Sequence, residues 1–332
     1  MSAGDVELPA TPAPAAALGR GFITARKEIV EVARGGPERP HLRDTWWRYL
    51  VSLVAIGFAL FPVLWVLSAA FDKDPSLSGA SLFPSDFTLD NFKAILYMPE
   101  LVKQSETAGV PEIPYWKWYL TSMVVCSVTA FMTVLLGALA AYAFSRFRFR
   151  GRRLGMMFLL LVQMFPQFLA LVAIYLILLE LGAVFPGIGL NTRTGLILVY
   201  LGGAMGVQAW LMKGFFDTIP SELDESARVD GASPAQVFWM IILPLGAPVL
   251  AVVGLLSFIF TLNEFILASS LLQTVDTYTL PVGLNGFISQ NYGERWGPFA
   301  AGVVLAGLPV MVLFMFLQRF IVHGLTQGSV KG

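Results

Sequence analysis

Long apolar runs that carry almost no charge dominate this sequence of 332 residues. An α-helix rises about 1.5 Å per residue, so about 20 apolar residues are needed to cross a hydrocarbon core of about 30 Å. Six runs reach that length, and they cover residues 46–71, 115–145, 154–179, 194–216, 245–270 and 299–320. We therefore predict an all-α, polytopic integral membrane protein with six transmembrane helices.

The composition excludes several classes of function. Charged residues make up 13% of the chain, against about 25% in soluble domains. The net charge of zero gives no reason to expect a nucleic-acid partner. Cys126 is the single cysteine and lies in an apolar run, so neither an intrachain disulfide nor a cysteine-built metal site is possible. We predict no metal site.

Lys and Arg indicate the orientation. They concentrate in residues 1–48 and in the run from Arg146 to Arg153, whereas the loops at 180–193 and 271–298 hold one arginine each. By the positive-inside rule both termini and the loop 217–244 are cytoplasmic. We predict a disordered cytoplasmic tail over 1–44, with a short helix near 23–33, a transmembrane domain over 45–322 and a cytoplasmic tail over 323–332. The alternation of Arg and Phe in 146–153 could suggest nucleic acid, but contact with anionic lipid headgroups in the plasma (inner) membrane is favoured.

The cytoplasmic loop 217–244 reads as a helix–turn–helix. Pro220 and Ser221 predict a helix start with Ser221 as the N-cap. Gly231 predicts the end of this helix, and Ser233-Pro234 opens a second helix with proline in its first position. Small residues in the loop, namely Ser226, Ala227 and Ala232, would permit close approach by another molecule.

This loop also resembles a known motif. Glu225-Ser226-Ala227, then Gly231, then Ile241 after nine intervening residues, and finally Leu243-Pro244 are similar to the EAA loop of ABC importer permeases, with Ser226 where alanine is usual. The resemblance implies a type I ABC importer permease fold whose loop docks in a cleft of a separate ATPase. It implies these roles: an acidic contact for Glu225, tight packing for Ala227, a turn at Gly231, capping or contact for Asp230, and motif positions at Ser226, Ile241, Leu243 and Pro244.

Further segments resemble the sugar class of these permeases. Residues 83–92 are similar to the first external loop of sugar-class permeases. Tyr278-Thr279-Leu280 and the ending 324–332 are most similar to the smaller permease subunit of maltose/maltodextrin importers. The resemblance implies a heterodimer with a second permease subunit, an ATPase dimer, an extracytoplasmic sugar-binding protein and membrane lipid as partners. It places the tail residues Thr326, Gln327 and Lys331 against the ATPase. It places the outer-loop residues Asn285, Gln290, Asn291 and Tyr292 against the binding protein.

The chain lacks the parts of an ATPase. No lysine is followed by Ser or Thr, so a Walker A loop is impossible. We predict that ATP and Mg²⁺ bind a partner, that this chain binds no cofactor, and that it is not an enzyme. An ion-coupled secondary transporter is the alternative, but such carriers usually need ionisable groups within the membrane. Glu264 is the one charged residue deep in a predicted span, and Glu180 lies at the edge of the third predicted span.

Polar side chains within the spans are candidates for the path of an uncharged sugar. The set is Gln163, Gln167, Gln208, Asn263 and Glu264. Pro166 would kink the third span and free backbone carbonyls. A buried amide can equally join two helices, and Glu264 could be an interfacial residue near the external end. The resemblance of the tail and loop segments implies that the cargo is maltose, maltodextrin or a related oligosaccharide, imported by alternating access.

Overall fold

A computed structural model describes residues 42–73, 83–84, 86–97, 113–289 and 295–328. Most of the predicted N-terminal tail with its short helix, and the predicted contact residues Gln290, Asn291, Tyr292 and Lys331, lie outside these ranges. The chain divides into two compact units, residues 1–61 and residues 62–332. Within the described part of the first unit, the backbone is helical from residue 42 onwards.

The described residues form helices joined by short turns. The helices are α1 (Leu42–Phe71), α2 (Asp90–Leu96), α3 (Tyr115–Arg146), α4 (Arg152–Met164), α5 (Leu171–Val184), α6 (Arg193–Phe216), α7 (Ser221–Val229), α8 (Pro234–Val237), α9 (Leu243–Leu245), α10 (Ala247–Asn263), α11 (Ile266–Leu271), α12 (Leu280–Ile288) and α13 (Trp296–Gly328). In the ranges that the structure covers, the extended pairing is a single bridge between Asp72 and Phe87. The predicted all-α class is confirmed.

The number of spans agrees with the prediction when bent helices are counted whole. Four helical segments are long and apolar enough to cross a membrane, and they cover Trp46–Phe71, Tyr115–Arg146, Gln167–Val184 and Trp296–Phe320. Two bent pairs pass the same test. They are α6, bent by 55° between Gly203 and Gly206, and the segment Pro234–Leu245 with α10, bent by 77°. Length and composition thus allow up to six spans.

The third predicted span is broken. We expected one helix over 154–179, but α4 ends at Met164, and Phe165 and Pro166 are extended with ψ angles of 119° and 120°. A 3₁₀ turn over Gln167–Ala170 then leads into α5. Proline lacks an N–H group, and its ring disfavours helical geometry in the residue before it. The predicted kink at Pro166 is therefore a complete break.

The fifth and sixth predicted spans also differ at their ends. The expected helix 245–270 is interrupted at Glu264, which is extended, and the chain resumes as the short helix α11. The 77° bend at Gly246 separates the segment through Leu245 from α10. The sixth predicted span belongs to α13, which continues to Gly328. The tail that we predicted to start at residue 323 therefore begins as part of this helix, and Thr326 and Gln327 lie in that helical part.

Helix α3 lies at the centre of the packed interior. Its residues belong to each of four apolar clusters: Tyr115 and Trp118 to the first, Tyr142 to the second, Val125 to the third and Cys126 to the fourth. The clusters join α3 to α6, α10, α12 and α13. Many apolar side chains of α4, α5 and α13 are instead exposed, as expected for surfaces that contact lipid tails or another subunit.

Candidate coupling loop and membrane cavity

The first half of the loop 217–244 has the predicted shape with one difference. Helix α7 starts at Ser221, but Pro220 occupies the N-cap position and no side chain caps the helix. The expectation that Ser221 is the N-cap is wrong, because Ser221 already has helical geometry. At the other end Asp230 is the C-cap, and Gly231 has a φ of +86°. A left-handed residue here lets the Ala232 N–H donate to the Ala227 carbonyl at 2.9 Å and end the helix.

The second half starts from a complete capping box. The Gln236 N–H donates to Ser233 Oγ at 3.3 Å, and the Ser233 N–H donates to Gln236 Oε1 at 2.8 Å, with Pro234 in the first turn. The helix then widens to a π-helix over Phe238–Ile242, a change that the sequence does not predict. Val237, Phe238 and Ile242 are buried. Ile241 and Leu243 are half-buried, and Pro244 is exposed.

Two side chains near the end of α3 hold this loop in place. Arg146 Nε lies 2.8 Å from Asp224 Oδ2, and both side chains are less than a tenth exposed. The N–H of Nε is out of line for a hydrogen bond, so the contact is an ion pair. The Arg146 guanidinium also donates to the Ile219 carbonyl at 2.9 Å, and the Tyr142 hydroxyl donates to the Pro234 carbonyl at 3.1 Å. The prediction that Arg146 contacts lipid headgroups is wrong, because its charge is paired inside the protein.

Asp217 provides a second attachment. It accepts a hydrogen bond from Ser145 Oγ at 2.7 Å and pairs with Lys213 one turn earlier. Burial alone would raise the pKa of Asp217, but the hydrogen bonds from Lys213 and Ser145 and the positive charges of Lys213 and Arg152 together hold that pKa below its usual value. Asp217 is therefore ionised at neutral pH and keeps the start of the loop joined to α3 and α6.

The open side of the loop carries part of the predicted motif. Glu225, Ser226 and Asp230 are exposed. Ala227 and Ala232 are half-buried and pack against the protein's own cluster around Phe238, so their small size serves the internal packing of the loop. Val229 is 87% exposed and Met240 72% exposed. The loop thus presents both an acidic group and apolar side chains to its surroundings.

A polar cavity of about 410 Å³ lies between α3, α4, α6 and α10. Four of the five predicted path residues line it: Gln163, Gln167, Gln208 and Glu264. Its wall also contains polar residues that the sequence analysis missed, Thr129, Tyr200, Ser257 and Thr261. The missed residues are hydroxyl groups within apolar runs, and their recurrence at helical spacing on α10 is a signal that could have found Ser257 and Thr261. The lining combines many neutral polar groups with a single carboxyl group.

Two glycines let the glutamines approach the bend in α6. Gln163 Oε1 accepts a hydrogen bond from the Val207 N–H at 2.5 Å, and Gln167 Nε2 donates to the Val199 carbonyl at 3.2 Å. A β-carbon on Gly203 would stand 2.1 Å from Gln167 Nε2, and one on Gly206 would stand 2.4 Å from Gln163 Oε1. A larger residue at either position would displace the nearby amide group from its present position. Gln163 and Gln167 therefore both line the cavity and join α6 to the break after α4.

Glu264 stabilises the break between α10 and α11. Its carboxylate accepts hydrogen bonds from the Leu267 N–H at 2.8 Å, the Ala268 N–H at 3.0 Å and the Tyr200 hydroxyl at 2.6 Å. These donors satisfy an acidic group at membrane depth, where an unpaired charge is costly. Glu264 thus lies in the wall of this cavity, and its side chain also satisfies two backbone N–H groups in the first turn of α11.

Two polar atoms of the cavity lining remain unpaired. Gln208 Oε1 and Thr129 Oγ1 are buried and have no hydrogen-bond partner among the residues that the structure describes. Leaving a buried polar group unpaired costs about 1–3 kcal/mol. Both atoms have almost no accessible surface, so they are unpaired polar atoms within the packed wall of the cavity and not groups that face its interior.

Asn263 is separate from the other predicted path residues. It lines a different cavity, of about 750 Å³, between α10, α12 and α13. Asn285, which we predicted to contact a binding protein, lines the same cavity. The remaining lining is mostly apolar, including Leu255, Phe299 and Met311. Asn263, the last residue of α10, therefore lies apart from the other four in this structure, and its role in the path stays a prediction.

The opposite end of α3 is also tied to a loop. The Trp118 indole N–H donates to the Val275 carbonyl at 2.6 Å, and Lys117 pairs with Asp276 at 2.9 Å. Asn191 Oδ1 accepts from the backbone N–H groups of Gln273 and Thr274 at 2.9 and 3.1 Å. The segment 273–277 is therefore fixed to both α3 and the start of α6.

Comparisons with known proteins give a consistent result. The sequence profile of a family described as "Binding-protein-dependent transport system inner membrane component" matches residues 133–327. The chain is 39% identical over 294 residues to the galactooligosaccharides transport system permease protein GanQ of Bacillus subtilis, covering 89% of this chain and 98% of that protein. It is 41% identical over 286 residues to the maltose/maltodextrin transport system permease protein MalG of Escherichia coli K12, covering 86% and 95%. The fold is similar to that of a bacterial ABC transporter involved in the import of alginate, with a TM-score of 0.66, 22% identity, and coverage of 86% and 99%.

Proposed function

Because the chain belongs to the family of binding-protein-dependent transport system inner membrane components, we propose that it is the permease subunit of an ABC importer that moves an uncharged oligosaccharide across the plasma membrane. Permeases for maltose/maltodextrin and for galactooligosaccharides match it over most of its length. An ion-coupled carrier, the alternative that the sequence left open, receives no support from these relatives.

One observation carries the proposal for the substrate. The 410 Å³ cavity has a size typical of small-ligand sites, and its lining offers amide and hydroxyl groups with one carboxylate. Neutral donors and acceptors suit a molecule that carries many hydroxyl groups and no charge. The amide, hydroxyl and carboxylate side chains of the lining supply such a molecule with both hydrogen-bond donors and acceptors. We propose that Gln163, Gln167, Gln208 and Glu264 line the translocation path.

The proposed coupling to ATP uses the loop 217–244. Glu225, Ser226, Asp230 and Gly231 are exposed, and we propose that they contact a separate ATPase subunit, with the half-buried Ala227, Ile241 and Leu243 and the exposed Pro244 shaping the docking element. The end of α13 with Thr326 and Gln327, followed by Lys331, is proposed to reach the same partner. Both termini are then cytoplasmic. ATP and Mg²⁺ are bound by the ATPase, so this chain performs no chemical step.

The proposed assembly has three further components. A second permease subunit completes the path, an ATPase dimer supplies the motion, and an extracytoplasmic sugar-binding protein delivers the substrate to the outer loops around Asn285, Gln290, Asn291 and Tyr292. Closure of the ATPase dimer would push the loop 217–244 and open the cavity outward, and hydrolysis would return it. This is alternating access driven from a partner.

Co-purification followed by an ATPase assay tests the proposal. The assembled complex is reconstituted with its binding protein, and ATP hydrolysis is measured with maltose, maltotriose, a galactooligosaccharide and, as a charged control, glycerol phosphate. We expect stimulation by one or more of the neutral oligosaccharides and none by glycerol phosphate. Solute uptake by the isolated chain in liposomes under an ion gradient, without ATP, would refute it.

A further inference from the structure

A third cavity lies at the end of the bundle where α4 begins and α6 ends. It has a volume of about 460 Å³, and its lining includes Arg152, Arg153 and Lys213 together with Trp210, Met157 and Leu160. Three cationic side chains therefore share one cavity with apolar ones. Arg146, by contrast, is engaged with Asp224, so the basic run 146–153 is divided between two different roles.

The lining changes from charged to apolar along both helices. On α4 the order is Arg152 and Arg153, then Met157 one turn further, then Leu160. On α6, which runs the opposite way, Lys213 lies near the helix end and Trp210 one turn before it. Residues three and four apart share a helix face, so each helix presents a basic end and an apolar continuation. Trp at such a level is typical of the membrane–water interface.

The charge of the cavity is positive after internal pairing is considered. Arg152, Arg153 and Lys213 carry three positive charges. Asp217, which pairs with Lys213 and lies beside Arg152, carries one negative charge, so the net charge of these four groups is +2. An anionic group would complete the charge balance. A free anion would use the basic end alone and leave the apolar wall of Met157, Leu160 and Trp210 empty.

We propose that this cavity is a binding site for one anionic phospholipid, with the phosphate at Arg152, Arg153 and Lys213 and an acyl chain along Met157 and Leu160. Basic pockets between transmembrane helices recognise such headgroups. The inference goes beyond the transport function, and it replaces the general expectation that the whole loop 146–153 meets lipid with a defined site between α4 and α6.

Native mass spectrometry of the assembled complex tests the site directly. The complex is incubated with phosphatidylglycerol or with phosphatidylcholine, and the bound lipid is counted. The double variant Arg152→Gln/Arg153→Gln should retain phosphatidylglycerol about 30-fold more weakly. Each basic residue near an anionic lipid contributes about 1 kcal/mol to its binding, and two such residues are neutralised. The matched control Arg148→Gln/Arg150→Gln removes the same charge from exposed positions of the same loop that do not line the cavity, and it should retain the lipid.

A second variant separates the lipid from a free phosphate. Met157→Trp keeps every charge and fills the apolar half of the cavity, so it should also lower phosphatidylglycerol retention. In a separate competition experiment, millimolar inorganic phosphate should not displace the lipid from the unmodified complex. Equal retention by the two arginine double variants, or equal retention of phosphatidylcholine, would overturn the site. Displacement by inorganic phosphate, or full retention by Met157→Trp, would overturn its assignment to a lipid.

Discussion

Replacing Asp224 with asparagine should release the loop 217–244 from α3. The substitution keeps the size of the side chain and removes its charge, which leaves the Arg146 guanidinium buried without a counter-ion. Two opposite unit charges about 4 Å apart attract by about 4 kcal/mol at an effective dielectric constant of about 20. Removing one member of a buried pair typically costs about 3–5 kcal/mol. Both side chains are less than a tenth exposed, so solvent screening reduces this value little.

A loss of about 3 kcal/mol corresponds to a roughly 150-fold rise in the population of the undocked loop. We expect hydrogen exchange of the amides in 221–233 to accelerate by that order in Asp224→Asn. We also expect less sugar imported per ATP hydrolysed, while membrane insertion is unchanged. The matched control is Glu222→Gln, which neutralises an exposed carboxylate of the same helix and should leave both measurements unaltered.

A double-mutant cycle isolates the pair itself. Arg146→Met and Asp224→Leu should each impair coupling, and the double variant should recover much of it, because apolar side chains of similar volume often replace a buried ion pair without loss. Normal exchange rates and normal transport stoichiometry in Asp224→Asn, or a coupling energy close to zero in the cycle, would refute the idea that this pair holds the loop.

Three further predictions concern the loop and the cavity. Gly231→Val should destabilise the turn by about 1–2 kcal/mol and reduce sugar uptake. Gly231→Asn should retain most uptake, because asparagine tolerates a positive φ. Equal uptake by the two variants would contradict the role of the backbone angle at this position. Gln208→Leu should raise the KM for the transported sugar about five- to tenfold, the value of one hydrogen bond, at unchanged protein level; an unaltered KM would remove Gln208 from the path. The lowered pKa of Asp217 means that its attachment is fully present above the ordinary carboxyl pKa of 3.8 and is lost as the pH falls through the lowered value. Amide exchange at 217–220 should therefore show no carboxyl-linked step from about pH 8 down to about pH 4, and Asp217→Asn should abolish the step seen below it.

The length of the apolar runs predicted the spans because a hydrocarbon core requires a fixed length of helix. The same argument predicts where α3 starts and ends almost to the residue, since Arg146 marks the end of the uncharged run. The local signals at Gly231 and at Ser233-Pro234 were equally reliable, because a left-handed turn and a capping box depend on neighbouring residues alone.

Features that depend on distant partners could not be predicted. The helix break at Glu264 is stabilised by Tyr200, which is 64 positions away, and hydropathy contains no trace of that hydrogen bond. Arg146 looked like the rest of its basic run, yet its contacts are with Ile219, 73 positions away, and with Asp224.

Helix α3 gives the two ends of the molecule a common rigid part. Its 32 residues correspond to about 48 Å of continuous helix, with Arg146 and Tyr142 bound to the loop at one end and Lys117 and Trp118 bound to the segment 275–276 at the other. A rod of this length cannot shorten. A tilt of α3 would therefore displace the loop 217–244 and the segment 275–276 together.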